Sequence, residues 1–146
     1  IVPGGFGAAK NLSTFALEGP ENMTVDSNLE QILKEFHAAK KPIGLCCIAT
    51  IIAAKIFPGC SITMGQDQEM DGKWPFAGAA QASSGVLKAD HQNMDLDSAC
   101  VDEKNKIVTS AAFMCGKAPI HEIHDSVGQM VKGVVELMEW SLKIAT

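Results

Sequence analysis

The chain has 146 residues, of which 47% are hydrophobic and 20% are charged, and its formal net charge is −5. A chain of this length fits one domain, here residues 1–146, which buries about 70% of its unfolded surface on folding. The acidic balance argues against a nucleic-acid partner, and charged residues or Pro interrupt every apolar run before the roughly 20 residues that a membrane-spanning helix needs.

The first residues predict the end of a strand followed by a binding loop. Ile1 and Val2 fit the end of a strand, and the glycines of Pro3–Gly7 allow positive φ and close approach of the backbone. A short helix is predicted over residues 8–16. Because the chain starts without an initiator Met, a signal peptide or a transit segment, we expect it to begin inside a fold.

The next segment predicts an amphipathic helix. Ser27 and Glu30 have the spacing of a capping box, in which each side chain bonds to the backbone N–H of the other residue. One apolar face follows at helical spacing: Leu29, Ile32, Leu33 and Phe36. The helix should end before Pro42, because proline disfavours helical conformation in the residue that precedes it.

A cysteine lies at the predicted junction of a strand and a helix. The apolar run of residues 43–47 predicts a buried parallel strand. Residues 48–57 predict a helix that stops at Pro58. Cys47 is therefore expected at the apex of a turn between strand and helix.

The middle of the chain continues the alternation of strands and helices. A strand is predicted over residues 60–64, a polar loop over residues 65–75 and a helix over residues 77–88. Two short strands, over residues 99–101 and 107–110, flank a polar turn that suits a hairpin.

The C-terminal part predicts a closing helix of about five turns that starts at Ile120. Its apolar positions form one stripe: Ile123, Val127, Met130, Val134 and Leu137. Together with the earlier elements, this alternation predicts a three-layer α/β sandwich.

The position of Cys47 favours a reactive thiol. At the N-terminal end of a helix, the macrodipole and free backbone N–H groups stabilise the thiolate and lower its pKa. The N–H of Ile48 would point at the oxyanion that forms when the sulfur attacks a carbonyl. The small residues Gly44 and Ala49 would relieve crowding at such a sharp turn. The alternative is a buried structural cysteine, since free Cys is among the most buried residue types.

The other cysteines are interpreted as structural. The five cysteines form an odd set without Cys-x-x-Cys spacing, which indicates neither a disulfide framework nor a zinc site, and no cofactor is expected. Cys46 should point into a sheet face, because side chains alternate along a strand. Cys60, Cys100 and Cys115 lie in apolar or strand-like surroundings.

The histidines are interpreted as non-catalytic. His37 is predicted to cap the C-terminal end of its helix. His91 lies in a polar loop without a visible partner. Four residues on the polar side of the closing helix are expected to be solvated: His121, Glu122, His124 and Asp125.

Three separated segments occur in the order of a known family. They are Pro3–Leu12 (PGGFGAAKNL), Lys41–Ala49 (KPIGLCCIA) and Val101–Thr109 (VDEKNKIVT), and Ala112–Cys115 with the closing helix extends the match. Through these segments the chain resembles the glutamine-amidotransferase-like class 1 family. That family includes bacterial ElbB and its mitochondrial animal relatives, within the superfamily of PfpI-type proteins and deglycases.

The resemblance implies a flavodoxin-like three-layer sandwich with a mostly parallel sheet, in which the elbow cysteine, Cys47, is the nucleophile. It implies that the Pro-Gly-Gly loop lies beside this cysteine, so that Gly4, Gly5 and Ile48 form the oxyanion and substrate loop. It also implies a mitochondrial protein that acts on small carbonyl substrates as a glyoxalase or deglycase, in which a thiolate attacks an aldehyde.

Two features depart from the family pattern. The superfamily's acidic partner of the cysteine, usually Glu, and the first strands precede the Pro-Gly-Gly loop, where this chain starts. The residue after the nucleophile is His in many PfpI-type hydrolases, but here it is Ile48.

These departures leave two alternatives open: a non-catalytic paralogue or assembly component, and a redox sensor in which Cys47 is oxidised. A sheet that lacks strands on one side would expose its edge and apolar face. We therefore expect a homo-oligomer or association with another chain.

Overall fold

The computed structural model describes residues 1–145, with side chains described through residue 140 and at residues 142 and 143. Short strands and helices alternate along this part of the chain. The strands are β1 (Ile43–Cys46), β2 (Ser61–Ile62), β3 (Asp90–His91), β4 (Cys100–Asp102) and β5 (Ile107–Ser110). The helices are α1 (Phe6–Asn11), α2 (Phe15–Asn22), α3 (Ser27–Ala38), α4 (Thr50–Ile56), α5 (Ala77–Gly85) and α6 (Ile120–Ala145).

The central sheet has the strand order β1-β5-β4, in which β1 and β5 are parallel and β4 is antiparallel to β5. Val2 extends the sheet beyond β1 through a parallel bridge to Leu45, as expected for the end of a strand. The N–H of Val2 donates to the carbonyl oxygen of Gly44 at 2.8 Å. The predicted hairpin between β4 and β5 is confirmed.

A second, parallel pair of strands, β2 and β3, is attached to the central sheet by side chains. The backbone N–H of Ser61 donates to Asp102 Oδ2 at 2.8 Å, and the N–H of Thr63 donates to Thr109 Oγ1 at 2.8 Å. Both acceptor residues are buried. These bonds satisfy backbone groups that no neighbouring strand pairs, and they join the two-stranded pair to the three-stranded central sheet in one layer.

Helices cover this layer on both faces. Gly44 lets α6 approach one face closely, since a Cβ there would lie 2.6 Å from Met130 Sδ and 2.7 Å from Val134 Cγ2. Ile43 and Leu45 alternate with Gly44 and point to the other face, and α3 and α4 also contact β1. The α/β sandwich predicted from the sequence is therefore confirmed.

Helix α6 has 26 residues, about seven turns, and is longer than predicted. Its predicted stripe is confirmed: Ile123, Met130, Val134 and Leu137 are buried, and Val127 is partly buried. Within residues 1–145, no helix combines the length and apolar character needed to cross a bilayer.

The helix predicted over residues 8–16 is wrong, because the chain forms α1 and α2 with a break between them. Ser13 lies in the break, and its buried hydroxyl donates to the carbonyl oxygen of Ala9 at 3.2 Å. Its backbone also bridges to Val25 in the antiparallel sense. These contacts end α1 early.

The capping box predicted for α3 is also wrong. Asp26 caps the helix instead, and its Oδ1 accepts the N–H groups of Asn28 at 3.1 Å and Leu29 at 3.0 Å. The predicted apolar face is only partly buried: Leu33 is in the core, whereas Ile32 and Phe36 are exposed. The ammonium of Lys41 lies over the ring of Phe36 at 5.5 Å.

Candidate active site at Cys47

Cys47 directly follows β1 and adopts the left-handed backbone conformation, with φ of 56°. This conformation costs a non-glycine residue about 1–2 kcal/mol and persists only where the surroundings enforce it, often at functional sites. A 3-10 turn over Cys47–Ala49 then leads into α4. The elbow predicted from the sequence is present, and the nucleophilic role of its thiol stays a prediction.

The Pro-Gly-Gly loop packs directly against this elbow. A Cβ at Gly4 would lie 2.5 Å from Cys47 Cβ and 2.8 Å from the carbonyl oxygen of Cys46. Glycine is therefore required at this position for the loop to reach the cysteine. The expectation that Gly44 relieves crowding at the elbow is wrong, because Gly44 faces α6.

Three backbone N–H groups lie near the Cys47 thiol and act to lower its pKa: those of Ile48, Gly5 and Phe113. The first two were predicted as donors at this site. Gly5 has a φ of 102°, so glycine allows the backbone conformation of the loop that presents its N–H. The three groups come from three separate parts of the chain and approach the same thiol.

The donor at Phe113 depends on a second left-handed residue, Ala112, which has φ of 46°. A 3-10 turn over Ala112–Met114 follows β5 closely and contacts the turn at Cys47. The N–H of Ala112 donates to the buried hydroxyl of Ser126 on α6 at 3.1 Å. This bond ties the turn, and thus the N–H of Phe113, to α6.

The pKa of the Cys47 thiol is raised, which is opposite to the direction expected from the sequence. Burial is the largest influence and disfavours the charged thiolate, and the neighbouring thiol of Cys46 adds to this effect. The three N–H groups oppose the shift without reversing it. The α-helical segment starts only at Thr50, so Cys47 is separated from it by the 3-10 turn.

The thiol borders a cavity of about 320 Å³ at the carboxyl ends of β1 and β5. This is where open α/β sheets generally bind their ligands. The cavity is lined by Gly5, Phe6, Ala9, Phe15, Ala16, Cys47, Ile48, Phe76, Phe113 and Met114. Among these lining residues, Cys47 alone has an ionisable side chain.

The sequence did not single out the aromatic part of this site. Four phenylalanines line the cavity, at positions 6, 15, 76 and 113. They lie far apart in the chain and form no local pattern. The family motif Ala112–Cys115 was the available signal for Phe113, but nothing in its composition indicated that it faces Cys47.

The other candidate residues lie outside this site. Cys46, Cys60, Cys100 and Cys115 are buried, as predicted. Two of the four residues predicted to be solvated, His124 and Asp125, form an exposed contact at 3.4 Å, and the other two are exposed. Among the residues with described side chains, no three His, Cys, Asp or Glu come together in a way that could hold a metal ion.

Two histidines have partners that the sequence did not reveal. His37 does not cap its helix with its side chain; its Nε2 lies 3.1 Å from Asn105 Oδ1, and its ring stacks on Phe57. His91 Nε2 accepts the backbone N–H of Met64 at 3.0 Å, and burial lowers the pKa of this histidine. Both are structural contacts.

A mixed sheet covered by helices, with a cysteine elbow at the carboxyl ends of its parallel strands, defines an α/β protein with an amidotransferase-like fold. A solved structure with the same type of fold supports this assignment. A solved structure, an isoprenoid biosynthesis protein with amidotransferase-like domain from Ehrlichia chaffeensis, matches with a TM-score of 0.72. That match covers 92% of this chain and 56% of the other at 20% identity, and it supports the fold.

Sequence comparison finds three similar mitochondrial proteins. The chain is 56% identical to the ES1 protein homolog, mitochondrial, of Rattus norvegicus over 137 residues. It is 55% identical to the glutamine amidotransferase-like class 1 domain-containing protein 3, mitochondrial, of Homo sapiens over 137 residues. It is 37% identical to the ES1 protein, mitochondrial, of Danio rerio over 141 residues.

The chain is similar over most of its length to proteins with these names, which agrees with the resemblance that the sequence motifs indicated. Each match covers 94% of the chain, which spans about half the length of these relatives, 50% to 52%. All three relatives are named as mitochondrial proteins, which confirms the localisation that the resemblance implied. No protein-family model matches the chain.

Proposed function

We propose that Cys47 adds reversibly to the carbonyl carbon of an aldehyde in mitochondria, which is the first step of glyoxalase or deglycase chemistry. The observation that carries this proposal is the convergence of three backbone N–H groups on a sulfur held at a strained elbow. Backbone donors of this kind stabilise the negative charge that develops on a carbonyl oxygen during attack.

The addition of the thiol to the carbonyl group needs no cofactor, because every atom and electron pair comes from the two reactants. The sulfur of Cys47 forms a bond to the carbonyl carbon, and the π electrons of the C=O bond move to the oxygen. The thiol proton ends on that oxygen, which gives a thiohemiacetal. The N–H groups of Gly5, Ile48 and Phe113 surround the sulfur and are the donors available to the oxygen.

Complete turnover requires more than this chain's cavity offers. No carboxylate or imidazole is among the side chains that line the cavity within the described residues. A positioned general acid or base typically contributes about 10²–10⁴-fold to the rate. We therefore assign to this chain the carbonyl addition, and propose that its turnover is slow unless an acid–base group is supplied.

A non-catalytic relative that keeps the fold is the second candidate, and the raised pKa of Cys47 favours it. The redox sensor fits less well. Oxidation-sensitive cysteines combine a low pKa with solvent access, whereas the side chain of Cys47 is buried and its pKa is raised.

The test is to detect the adduct directly. We expect ¹³C-labelled methylglyoxal to give a thiohemiacetal carbon signal with the chain, and no such signal with the Cys47→Ser variant. The Cys100→Ala variant removes another buried thiol and should keep the signal. Absence of the signal in the unchanged chain, or its persistence in Cys47→Ser, would favour the non-catalytic alternative.

A further inference from the structure

We propose that the cavity at Cys47 selects uncharged carbonyl compounds that carry an aromatic or branched alkyl group over small hydrophilic dicarbonyls. This inference rests on the proposed carbonyl addition and names its substrate class. It follows from the lining, the exposure, the size and the charge of the cavity.

The lining is aromatic on several sides. Phe6 belongs to α1 and Phe15 to α2, while Phe76 precedes α5 and Phe113 lies in the turn after β5. Four separate segments thus each bring one phenyl ring to the same cavity. Aromatic walls of this kind hold a flat apolar group through offset or edge-to-face contacts.

Three of these rings are largely exposed to water in the structure. The exposed fraction is 72% for Phe6, 54% for Phe76 and 58% for Phe113. Exposed apolar surface gathered at one place usually belongs to a binding site, because a ligand that covers it releases the water in contact with it. A ligand with an apolar group benefits from this effect, and a polar one does not.

The cavity is large for a two- or three-carbon dicarbonyl. Its volume of about 320 Å³ lies at the lower end of the range for drug-sized ligands, roughly 300–1,000 Å³. Glyoxal or methylglyoxal bound to Cys47 would leave most of this space and the outer rings without a contact. An aryl or branched alkyl group attached to the carbonyl would fill it.

The charge of the lining excludes ionic substrates. Cys47 is its one ionisable side chain among the described residues, and the whole chain contains no arginine that could pair with a carboxylate. A carboxylate such as that of glyoxylate or glutamine would lose hydration there without gaining a charged partner. A neutral substrate avoids this cost.

The first experiment measures the selectivity of the cavity without using aldehyde chemistry. Cys47 is alkylated with iodoacetamide and with N-phenyliodoacetamide, and labelling is followed by peptide mass spectrometry. The sulfur forms a bond to the methylene carbon, iodide leaves and the thiol proton goes to the buffer. The quantity of interest is the ratio of the labelling rates of Cys47 with the two reagents. Measuring this ratio also in the urea-unfolded chain corrects for the intrinsic reactivity of the reagents.

We expect the folded chain to favour the phenyl reagent at Cys47 by about tenfold relative to the unfolded chain, as burial of a phenyl group predicts. Phe76→Ala and Phe6→Ala should each reduce this preference several-fold. Phe36→Ala removes another exposed ring, on α3 outside the cavity, and should leave it unchanged. An equal ratio in the folded and unfolded chain, or an equal effect of Phe36→Ala, would overturn the inference.

The second experiment separates this inference from the proposed function. Adduct formation at Cys47 is compared for phenylglyoxal and methylglyoxal, and the absence of arginine removes the usual side reaction of phenylglyoxal. Tighter binding of phenylglyoxal supports both proposals. Equal binding of the two overturns the substrate class and leaves carbonyl addition standing. A phenyl preference in alkylation without any aldehyde adduct overturns carbonyl addition, and with it the carbonyl substrate class, and leaves only the preference of the cavity for an apolar group.

Discussion

Cys47 and Ala112 both have positive φ at the ends of the neighbouring parallel strands β1 and β5. Each starts a tight 3-10 turn, and the two turns contact each other. A single strained residue could be incidental, but two that bring backbone donors to the same sulfur indicate a built site. Two contacts hold these backbone conformations in place: the close packing of Gly4 against Cys47, and the hydrogen bond from the N–H of Ala112 to the hydroxyl of Ser126.

Gly4 is the most restrictive position in this arrangement. In the Gly4→Ala variant the new methyl group would lie 2.5 Å from Cys47 Cβ, so the loop must move away from the elbow. We expect a loss of about 1–3 kcal/mol of unfolding free energy, as for other overpacked sites, together with altered labelling of Cys47. Urea denaturation and iodoacetamide labelling measure the two effects.

Gly128 provides the matched control for this change. It lies within α6 and is exposed, and a Cβ added there would have no atom within 4 Å outside its own turn of the helix. Gly128→Ala should stabilise the chain by up to about 1 kcal/mol, because alanine favours helix more than glycine does. Equal effects of Gly4→Ala and Gly128→Ala would show that the loop does not constrain the elbow.

The thiol of Cys47 should show a pH dependence set by its burial. Because burial raises the pKa of the folded thiol, its alkylation should accelerate only as pH rises beyond the ordinary value of about 8.5. Unfolding the chain in urea at about pH 8.5 should therefore increase the labelling rate at Cys47. Mass-spectrometric labelling over a pH series measures this. A midpoint below that of the unfolded chain would revive the activated thiolate predicted from the sequence.

Among the elements, the β4–β5 hairpin has a structural role that explains the motif Val101–Thr109. Asp102 accepts the backbone N–H of Ser61 at 2.8 Å, and the backbone N–H and side-chain amide of Asn105 at 2.9 and 2.8 Å. Asn105 in turn contacts His37 at the end of α3. The turn thus links β2, β4 and α3 through two polar side chains.

Removal of the Asn105 side chain should weaken this link. Asn105→Ala deprives Asp102 and His37 of partners in a partly buried place, and we expect a loss of about 1–3 kcal/mol in unfolding free energy. Asn93→Ala removes a comparable amide that pairs with Asp67 at the exposed surface and should change stability by at most about 0.5 kcal/mol. Urea denaturation compares the two variants, and similar losses would contradict the proposed role.

Features carried by short stretches of sequence were predictable at this scale. The apolar run before Cys47, the polar turn of the hairpin and the stripe of α6 each determine local structure through their own pattern. Features that depend on contacts between distant segments were not. The close approach of α6 to Gly44, the phenyl rings around the cavity and the raised pKa of Cys47 all arise from packing that no single segment specifies.

The N-cap residue of α3 was also predicted wrongly from the sequence. Ser27 and Glu30 satisfied the capping pattern, but Asp26, one residue earlier, offered a stronger acceptor for two N–H groups. Both residues are good caps, so the pattern alone could not choose between them.

At the scale of the whole molecule, buried thiols should limit stability at alkaline pH. Burial and the nearby charge of Asp102 raise the pKa of Cys60 to about 12 and that of Cys100 to about 11. Thiols with a raised folded pKa contribute stability that is fully present below the unfolded pKa, about 8.5, and lost as pH rises further. By about pH 10 the loss is on the order of 2 kcal/mol for each thiol.

This prediction is checked by urea denaturation between about pH 7 and pH 10, the range in which the unfolded thiols ionise. The double variant Cys60→Ala and Cys100→Ala should show a weaker decline over that range than the unchanged chain. An identical decline would assign the alkaline sensitivity to other groups.

We also propose that the chain associates with a second copy through α6. Val131, Val135 and Met138 are exposed at helical spacing and form an apolar stripe on a different side from the buried one. Such a repeat over successive turns can pack against the same surface of a like helix. Sedimentation should show association that increases with concentration and is lost in Val135→Lys.

Val86→Lys, at another exposed apolar position beside α5, is the matched control and should leave the association unchanged. A concentration-independent monomer would contradict the proposal.

The attachment of β2 to Asp102 has a consequence for how the fold opens. The amide of Ser61 donates to a side chain of the hairpin and not to a neighbouring strand, so its protection from hydrogen exchange depends on that single carboxylate. Asp102→Asn replaces the carboxylate with a neutral amide and should speed hydrogen exchange at the Ser61 amide. Hydrogen exchange at the β1 amides that pair with β5 should stay slow. The Ser61 amide would then report partial opening of the sheet, separately from global unfolding.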